Sequence, residues 1–441
     1  MTATFTDLRS LPSSVRRVAM LAVHTSPLAR IGGPSAGGMN IYVRELSREL
    51  ALRGARVDIF TRQETPDVPV VTVLDPGVNL IALPCGPFGV VDKLSLVPYL
   101  SSFASAVDEW ATTNRRSYDL IHAHYWLSGV AGDFLRCRWD IPLMMTFHTL
   151  AQAKNNVARS ASENEATQRV LGERRLMHSV DAVMAFNPQE KAEMTWYYRA
   201  DAGKICVVPA GIDAATFAPG SQADARAALG WDATEPIILF VGRIDPIKGI
   251  DVLIDALCGL RREGWQTAPP RLVLVGGGAG ERAYETLQRR ATELGIADQI
   301  SFAGSISHSD LPVYYRAADV VAVPSFYESF GLVAVEAMAC GTPVVASRAG
   351  GLAFTVDDGK TGFLVPYNDA AALADRLRLL LTDDALRAQF GANATVVARR
   401  FGWPTIGSRI VHVYDRLVRG YRADLCSDTP SSRGATMTGG G

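Results

Sequence analysis

Pro324-Ser325-Phe326-Tyr327-Glu328-Ser329-Phe330-Gly331-Leu332-Val333-Ala334-Val335-Glu336 is the stretch on which the reading of this chain turns. The apolar run before it, 320–323, reads as a buried strand. Residues 332–339 read as a helix that Cys340-Gly341-Thr342-Pro343 breaks. A loop that leaves a strand and opens a helix offers free backbone N–H groups and the positive end of a helix dipole, a place to hold a diphosphate. Glu328 and Glu336 stand eight residues apart, one in the loop and one about two turns into the helix. One can meet a group beyond the diphosphate and the other a group before it, which is the order of a sugar nucleotide: sugar, two phosphates, ribose. An isolated pair of glutamates in a crossover is ordinarily just solvated; the residues around this pair favour a site.

The run from Pro324 through Cys340-Gly341-Thr342-Pro343-Val344-Val345-Ala346 closely resembles, without a gap, the E-x7-E segment of retaining glycosyltransferases of the GT-B fold in the GT4 family. That resemblance implies two Rossmann-like domains facing a cleft and a sugar-nucleotide donor.

Outward from this segment the chain divides into two series of strands. Apolar runs at 16–23, 57–61, 120–122, 142–147, 182–186 and 205–209 alternate with helix-length segments. After a junction at 219–233 a second series follows at 237–242, 271–276, 300–303, 320–323 and 344–347. Alternating strands and helices argue for parallel sheets covered on both faces, and two doubly wound α/β sheets with a cleft between them is the economical architecture. Met39, Val43, Leu46 and Leu50 form one apolar stripe on the first helix. The expected domains are 15–212 together with 404–425, binding the acceptor and including a C-terminal helix that crosses back, and 213–403, binding the sugar nucleotide. A loose leader over 1–14 and a disordered tail over 427–441 complete the expectation.

Composition excludes several classes of function. The 441 residues are 48% hydrophobic and 20% charged, and 44 basic against 45 acidic residues leave a net charge of −1. That balance gives no bulk affinity for nucleic acid or an anionic membrane. No stretch approaches the ~20 apolar residues of a membrane span, so stable membrane insertion is not expected. The six cysteines are scattered with no C-x-x-C pair, which suits reduced, packed thiols and a cytoplasmic protein. A homodimer is compatible with this composition.

On the donor side, Val241-Gly242-Arg243-Ile244-Asp245-Pro246-Ile247-Lys248-Gly249 follows the first strand of the second series. Arg243 and Lys248 would then project from a loop at a strand's C-terminal end, where such sheets bind ligands, and two cations there can neutralise a diphosphate. An arbitrary Arg and Lys are ordinarily solvated, but the motif resembles the family's Gly-Arg…Lys-Gly element. By the same resemblance Glu336 would hold the ribose hydroxyls and Glu328 the hydroxyls of the transferred sugar. The amides of Phe330, Gly331 and Leu332 would face phosphate and sugar, Gly38 would join the donor site, and the base would lie near Gly304-Ser305. Gly276-Gly277-Gly278 reads as a tight turn rather than a phosphate cradle. Glu328 is not expected to act as a nucleophile, because the family is thought to use the leaving phosphate as base for the acceptor hydroxyl. With no Asp-x-Asp triplet, no cofactor is required: Mg2+ can accompany the nucleotide, a UDP-sugar by expectation, but Arg243 and Lys248 supply the charge.

The first half should choose the acceptor. Gly37-Gly38-Met39-Asn40, Asp92-Lys93, His122-Ala123-His124-Tyr125-Trp126, Phe147-His148-Thr149-Leu150 and Arg169 with Gly172-Glu173 stand out. His122, His124 and His148, an H-x-H with a remote third histidine, lack the H-E-x-x-H-type arrangement of a zinc site and read as strand-end histidines, so no metal is expected. By resemblance His148 lies beside the transferred sugar. These pieces look like the glycosyltransferases of mycothiol synthesis, which join N-acetylglucosamine to inositol phosphate. There a Lys, Tyr, Thr and Arg matching Lys93, Tyr125, Thr149 and Arg169 hold the acceptor phosphate, and an Asn matches Asn40. Two cations and two hydroxyls on a small dianion make charge-assisted hydrogen bonds without a metal. The segment 151–168 and the extra cation in the loop 29–35 depart from that pattern, and sucrose-phosphate synthases, whose acceptor is fructose 6-phosphate, share the plan. A phosphatidylinositol mannosyltransferase, a sugar-nucleotide sensor and a nucleotide-sugar epimerase are the competing readings. The intact Arg243, Lys248, Glu328 and His148 weigh against the sensor.

Overall fold

The structure, a computed structural model, describes residues 14–29, 37–89, 91–262, 269–277, 282–421 and 425. The first half folds around β1 (Arg17–Ala22), β2 (Arg56–Arg62), β3 (Val71–Asp75), β4 (Val78–Leu83), β5 (Leu120–His124), β6 (Leu143–Thr146), β7 (Ala182–Ala185) and β8 (Ile205–Val207). Their order is β3-β4-β2-β1-β5-β6-β7-β8, and every pairing is parallel except β3 with β4. The second half holds β9 (Ile237–Val241), β10 (Arg271–Val275), β11 (Ile300–Gly304), β12 (Val320–Val323), β13 (Val344–Ser347) and β14 (Gly362–Val365), ordered β11-β10-β9-β12-β13-β14 and all parallel. β5, β6, β9 and β12 are buried at every residue, because helices cover both faces of a parallel sheet. The GT-B expectation is borne out.

Three strands escaped the sequence reading: β3, β4 and β14. β3 lies at the sheet edge with no residue buried, although Val70-Val71-Thr72-Val73-Leu74 is rich in β-branched residues. The leader expected over 1–14, apart from Ser14, the tail expected over 427–441, Arg30 and Gly278 lie outside the described residues. Ser14 itself is held, its hydroxyl donating to Asp415. The cysteine reading is corrected at one position: Cys85, Cys137, Cys258 and Cys340 are free thiols, but Cys206 is disulfide-bonded.

Each sheet reverses its strand order once, between β1 and β5 and between β9 and β12. Loops leaving the C-terminal ends of these strands meet in a cleft, the location that doubly wound sheets offer to ligands. The helix Trp403–Val418 returns to the first sheet. There Arg53 donates to the Pro404 carbonyl at 2.6 Å, and the Tyr414 hydroxyl stands 2.5 Å from His122 Nδ1. The two chain crossings touch: Ile212 N–H donates to the Phe401 carbonyl at 2.8 Å and Trp403 N–H to the Ile212 carbonyl at 3.2 Å. Among the described residues no helix is long and apolar enough to cross a membrane.

Candidate active site

A cavity of about 290 Å³ lies between the two sheets, and it is bordered by Gly38, Asn40, Lys93, Tyr125, His148, Thr149, Arg169, Arg243, Lys248, Glu328, Phe330, Gly331, Leu332 and Glu336, but not by Gly304 or by His122, His124 and Glu173. On its second-domain wall the loop after β12 leads to Gly331, whose φ of 93° is one that only glycine adopts readily; a Cβ there would stand 2.7 Å from Leu352. This turn aims the N-terminus of the helix Leu332–Ala339 into the cavity. Across the cleft the helix Gly38–Leu52 begins, where a Cβ on Gly38 would lie 3.1 Å from Leu332 and one on Gly37 would lie 3.9 Å from Arg243 Nε. Two helix N-termini and Arg243 therefore share one corner, and all three favour negative charge.

Lys248 extends from the loop after β9 and pairs with Glu328 at 2.6 Å. Arg243 is more open, with Asp245 3.5 Å away. Glu336 is buried, and each of its oxygens already has a partner at 2.8 Å, Nε2 of His308 and the Tyr315 hydroxyl. Burial alone would lower the His308 pKa, but the Glu336 carboxylate more than offsets this and the pKa is raised.

The opposite wall is cationic. Arg169 is 3% exposed; its Nε donates to Glu173 at 2.7 Å, one terminal nitrogen reaches Glu165 at 2.9 Å and the other donates to the Thr149 carbonyl and hydroxyl at 2.8 and 2.9 Å. Glu165 also pairs with Lys154. Burial would raise the Glu165 pKa, yet Arg169 and Lys154 hold it at about 2. Lys93 differs: its ammonium stands 5.3 Å from the centroid of the Tyr125 ring, and Arg169 lies 4.8 Å from the same centroid. No carboxylate among the described residues pairs with Lys93; burial, then the charges of Arg243 and Arg169, lower its pKa to about 8. Among the described residues, the hydroxyl protons of Tyr125 and Thr149, the ammonium of Lys93 and the fifth N–H of Arg169 are donors this wall leaves uncommitted.

Tyr125 and His148 follow β5 and β6 with φ of 72° and 63°, values unusual for side chains this large. Such backbone strain is characteristic of functional sites. Asn40 is buried and its amide donates to Thr25 Oγ1 at 2.8 Å and to the Ser26 carbonyl at 2.5 Å. Both amide hydrogens are thus committed to the loop after β1. Gly304 departs from expectation: it ends β11 at φ 71°, accepts from Gly276 N–H at 2.8 Å and lies outside the cavity wall.

Residues 37–211 match the family described as Glycosyl transferase 4-like domain, and residues 221–397 match Glycosyl transferases group 1. The chain is 44% identical over 407 residues to a D-inositol 3-phosphate glycosyltransferase of Xylanimonas cellulosilytica, covering 90% of this chain and 96% of that one. This chain is a GT4-family glycosyltransferase. A D-inositol 3-phosphate glycosyltransferase of Kineococcus radiotolerans is 42% identical to it over 429 residues, 94% of this chain and 99% of the relative. Among solved structures, a sucrose-phosphate synthase from Thermosynechococcus elongatus superposes on the glycosyltransferase with a TM-score of 0.85 at 38% identity, covering 92% of this chain and 99% of that one.

Sequence reading missed several residues that shape the glycosyltransferase's cavity. Lys154 and Glu165 sit in the segment that departs from the mycothiol pattern; Glu165, Arg169 and Glu173 at four-residue spacing were the available signal. His308 left no signal, because its tie to Glu336 spans 28 residues of chain. Ser329 crosses the cleft, its hydroxyl donating to the His148 carbonyl and its own carbonyl accepting from the Asn187 amide at 2.6 Å.

Proposed function

We propose that this glycosyltransferase is a retaining, metal-independent enzyme. It moves a sugar of the glucose or N-acetylglucosamine type from a nucleoside diphosphate, UDP by preference, to a small phosphorylated acceptor such as an inositol phosphate. One observation carries the reading: in a single cavity Arg243 and two helix N-termini face Lys93, Tyr125, Thr149 and Arg169, two groups that would each favour an anion. Residues 213–403 would bind the donor, and 15–212 with 404–425 the acceptor. Arg243, Lys248 and the amides of Phe330, Gly331 and Leu332 would take the diphosphate and stabilise the charge that grows on it as the glycosidic bond breaks. Glu336 would meet the ribose, and Glu328 and His148 the transferred sugar. Gly38 would close on the phosphates.

Lys93, Thr149 and Arg169 would grip the acceptor phosphate, with Asn40 bracing the loop beside it. Burial lowers the His148 pKa to about 3, which makes it a poor base, and the acceptor hydroxyl would give its proton to the leaving phosphate instead. The names of the relatives support inositol phosphate. A second reading, transfer to fructose 6-phosphate, is favoured by the similarity to sucrose-phosphate synthase.

Product formation from radiolabelled UDP-sugars against inositol phosphate, fructose 6-phosphate and their dephosphorylated forms tests the proposal. Transfer to inositol phosphate alone is the expected result. Transfer to fructose 6-phosphate selects the second reading, and equal use of dephosphorylated acceptors or of membrane lipids rejects the phosphate pocket.

A further inference from the structure

The histidines behind the cavity stand in a relation that the transfer reading does not use. His124 is fully buried, its Nδ1 lies 3.0 Å from His148 Nε2, and its Nε2 is buried without any polar partner. His122 sets no constraint on this pair, since its Nδ1 meets the Tyr414 hydroxyl at 2.5 Å and its Nε2 the Thr146 hydroxyl at 2.8 Å, and hydroxyls serve either tautomer. Burial holds all three imidazoles well below their ordinary range, so each ring carries one proton.

Between His124 Nδ1 and His148 Nε2 there is room for one proton. If His148 Nε2 held it, His124 Nδ1 would be bare and the remaining proton of His124 would sit on Nε2. That leaves a buried N–H with no acceptor, the rarer and costlier kind of orphan. With the proton on His124 Nδ1, the buried Nε2 is a bare nitrogen, which costs less. His148 Nε2 then accepts, and the proton of His148 must sit on Nδ1, the ring nitrogen left to meet a ligand. The His148 ring cannot readily turn to reverse this, because Tyr42 and Phe186 flank it with centroids 5.3 and 5.6 Å away.

We infer that His124 is a positioning residue that fixes the tautomer of His148, so that His148 offers the cavity an N–H donor and no basic nitrogen. This rests on the proposed placing of His148 beside the transferred sugar. It deepens that reading: His148 serves as a donor to a sugar oxygen, and its tautomer is set from behind by a residue that never touches substrate. It also selects for donors that carry an oxygen, rather than a methyl, at that position.

Nitrogen NMR of the full chain labelled with 15N-histidine reads the tautomer directly. The wild-type protein should show the His148 Nδ1 resonance coupled to a bonded proton and the Nε2 resonance of a bare nitrogen. A proton on Nε2 overturns the proposal, and this spectrum decides even where a variant fails to fold. His124→Phe removes the Nδ1–H donor and should shift His148 toward the other tautomer. It should also lower kcat with the reactive UDP-sugar by about ten-fold, the order of one lost hydrogen bond, at unchanged acceptor KM. His124→Asn places an amide N–H near the same point and should restore both. An unmoved tautomer in His124→Phe overturns the lock; a moved tautomer with wild-type turnover upholds the lock and overturns the placing of His148 against the sugar.

Discussion

Lys93 is the acceptor-wall cation that makes no ion pair among the described residues, and its position decides which substitution isolates the phosphate. Arg169→Ala would strand Glu173, a carboxylate with no exposure whose Oε1 depends on that guanidinium. Breaking one partner of such a pair costs ~3–5 kcal/mol, so lost activity would be confounded with lost structure. Lys93→Met should instead raise the KM of a phosphorylated acceptor at least about ten-fold and leave donor hydrolysis unchanged. Because the Lys93 pKa is lowered from 10.5 to about 8, the acceptor KM of the wild type should climb above pH 8, and the variant should lose that dependence. The stability effect has the opposite sign. Between pH 8 and 10.5 the unfolded chain holds the Lys93 proton and the folded chain does not, so folding stability gains across that window, and pH-dependent denaturation of the two proteins would show it. Lys248 acts on the other substrate. Lys248→Ala removes the ammonium 2.6 Å from Glu328 and should lower kcat by ~10²–10³ at saturating donor, measured as initial rates.

At the scale of elements, two loops make the donor wall and each depends on the other's backbone. Gly249 has φ 67°, and a Cβ there would stand 2.1 Å from the Pro324 carbonyl oxygen. Gly249→Ala should therefore cost ~1–2 kcal/mol or more of stability in denaturant titration and raise donor KM, since it pushes the Lys248 loop away from the loop that carries Glu328. What was readable in the sequence follows the same division. Fully buried strands announce themselves by composition, and the helix Leu332–Ala339 ends where Cys340-Gly341 interrupts it. β3, with no residue buried, lies at the sheet edge despite its β-branched residues, and the strap from Lys154 to Glu165 is specified by ion pairs formed only after folding. Gly304 was placed by analogy alone, and its carbonyl is turned toward Gly276 within the sheet's edge. Residues whose role is a contact distant in sequence, Ser329 with Asn187 across the cleft and His308 with Glu336 within the second domain, have no local pattern to betray them.

Over the whole molecule the cleft is spanned by a few polar contacts, and the two chain crossings meet where Ile212 lies beside Phe401 and Trp403. Asn187 does two things at once: its Oδ1 caps a helix by accepting from Glu190 N–H at 2.9 Å, and its Nδ2 reaches Ser329 of the other domain at 2.6 Å. Asn187→Ser keeps a capping oxygen and drops the reach. It should leave the unfolding free energy within ~1 kcal/mol of wild type while lowering kcat several-fold, with small-angle scattering showing a less compact complex when donor and acceptor are bound. The crossing helix Trp403–Val418 carries a further consequence. It buries Ile406, Ile410 and Tyr414 against the first domain, and the Tyr414 hydroxyl meets His122, whose ring lies 4.1 Å from that of His124. A nascent chain will have spun out both sheets before this helix leaves the ribosome. Until then His122 lacks its Tyr414 contact and the first sheet lacks the cover of Ile406 and Ile410.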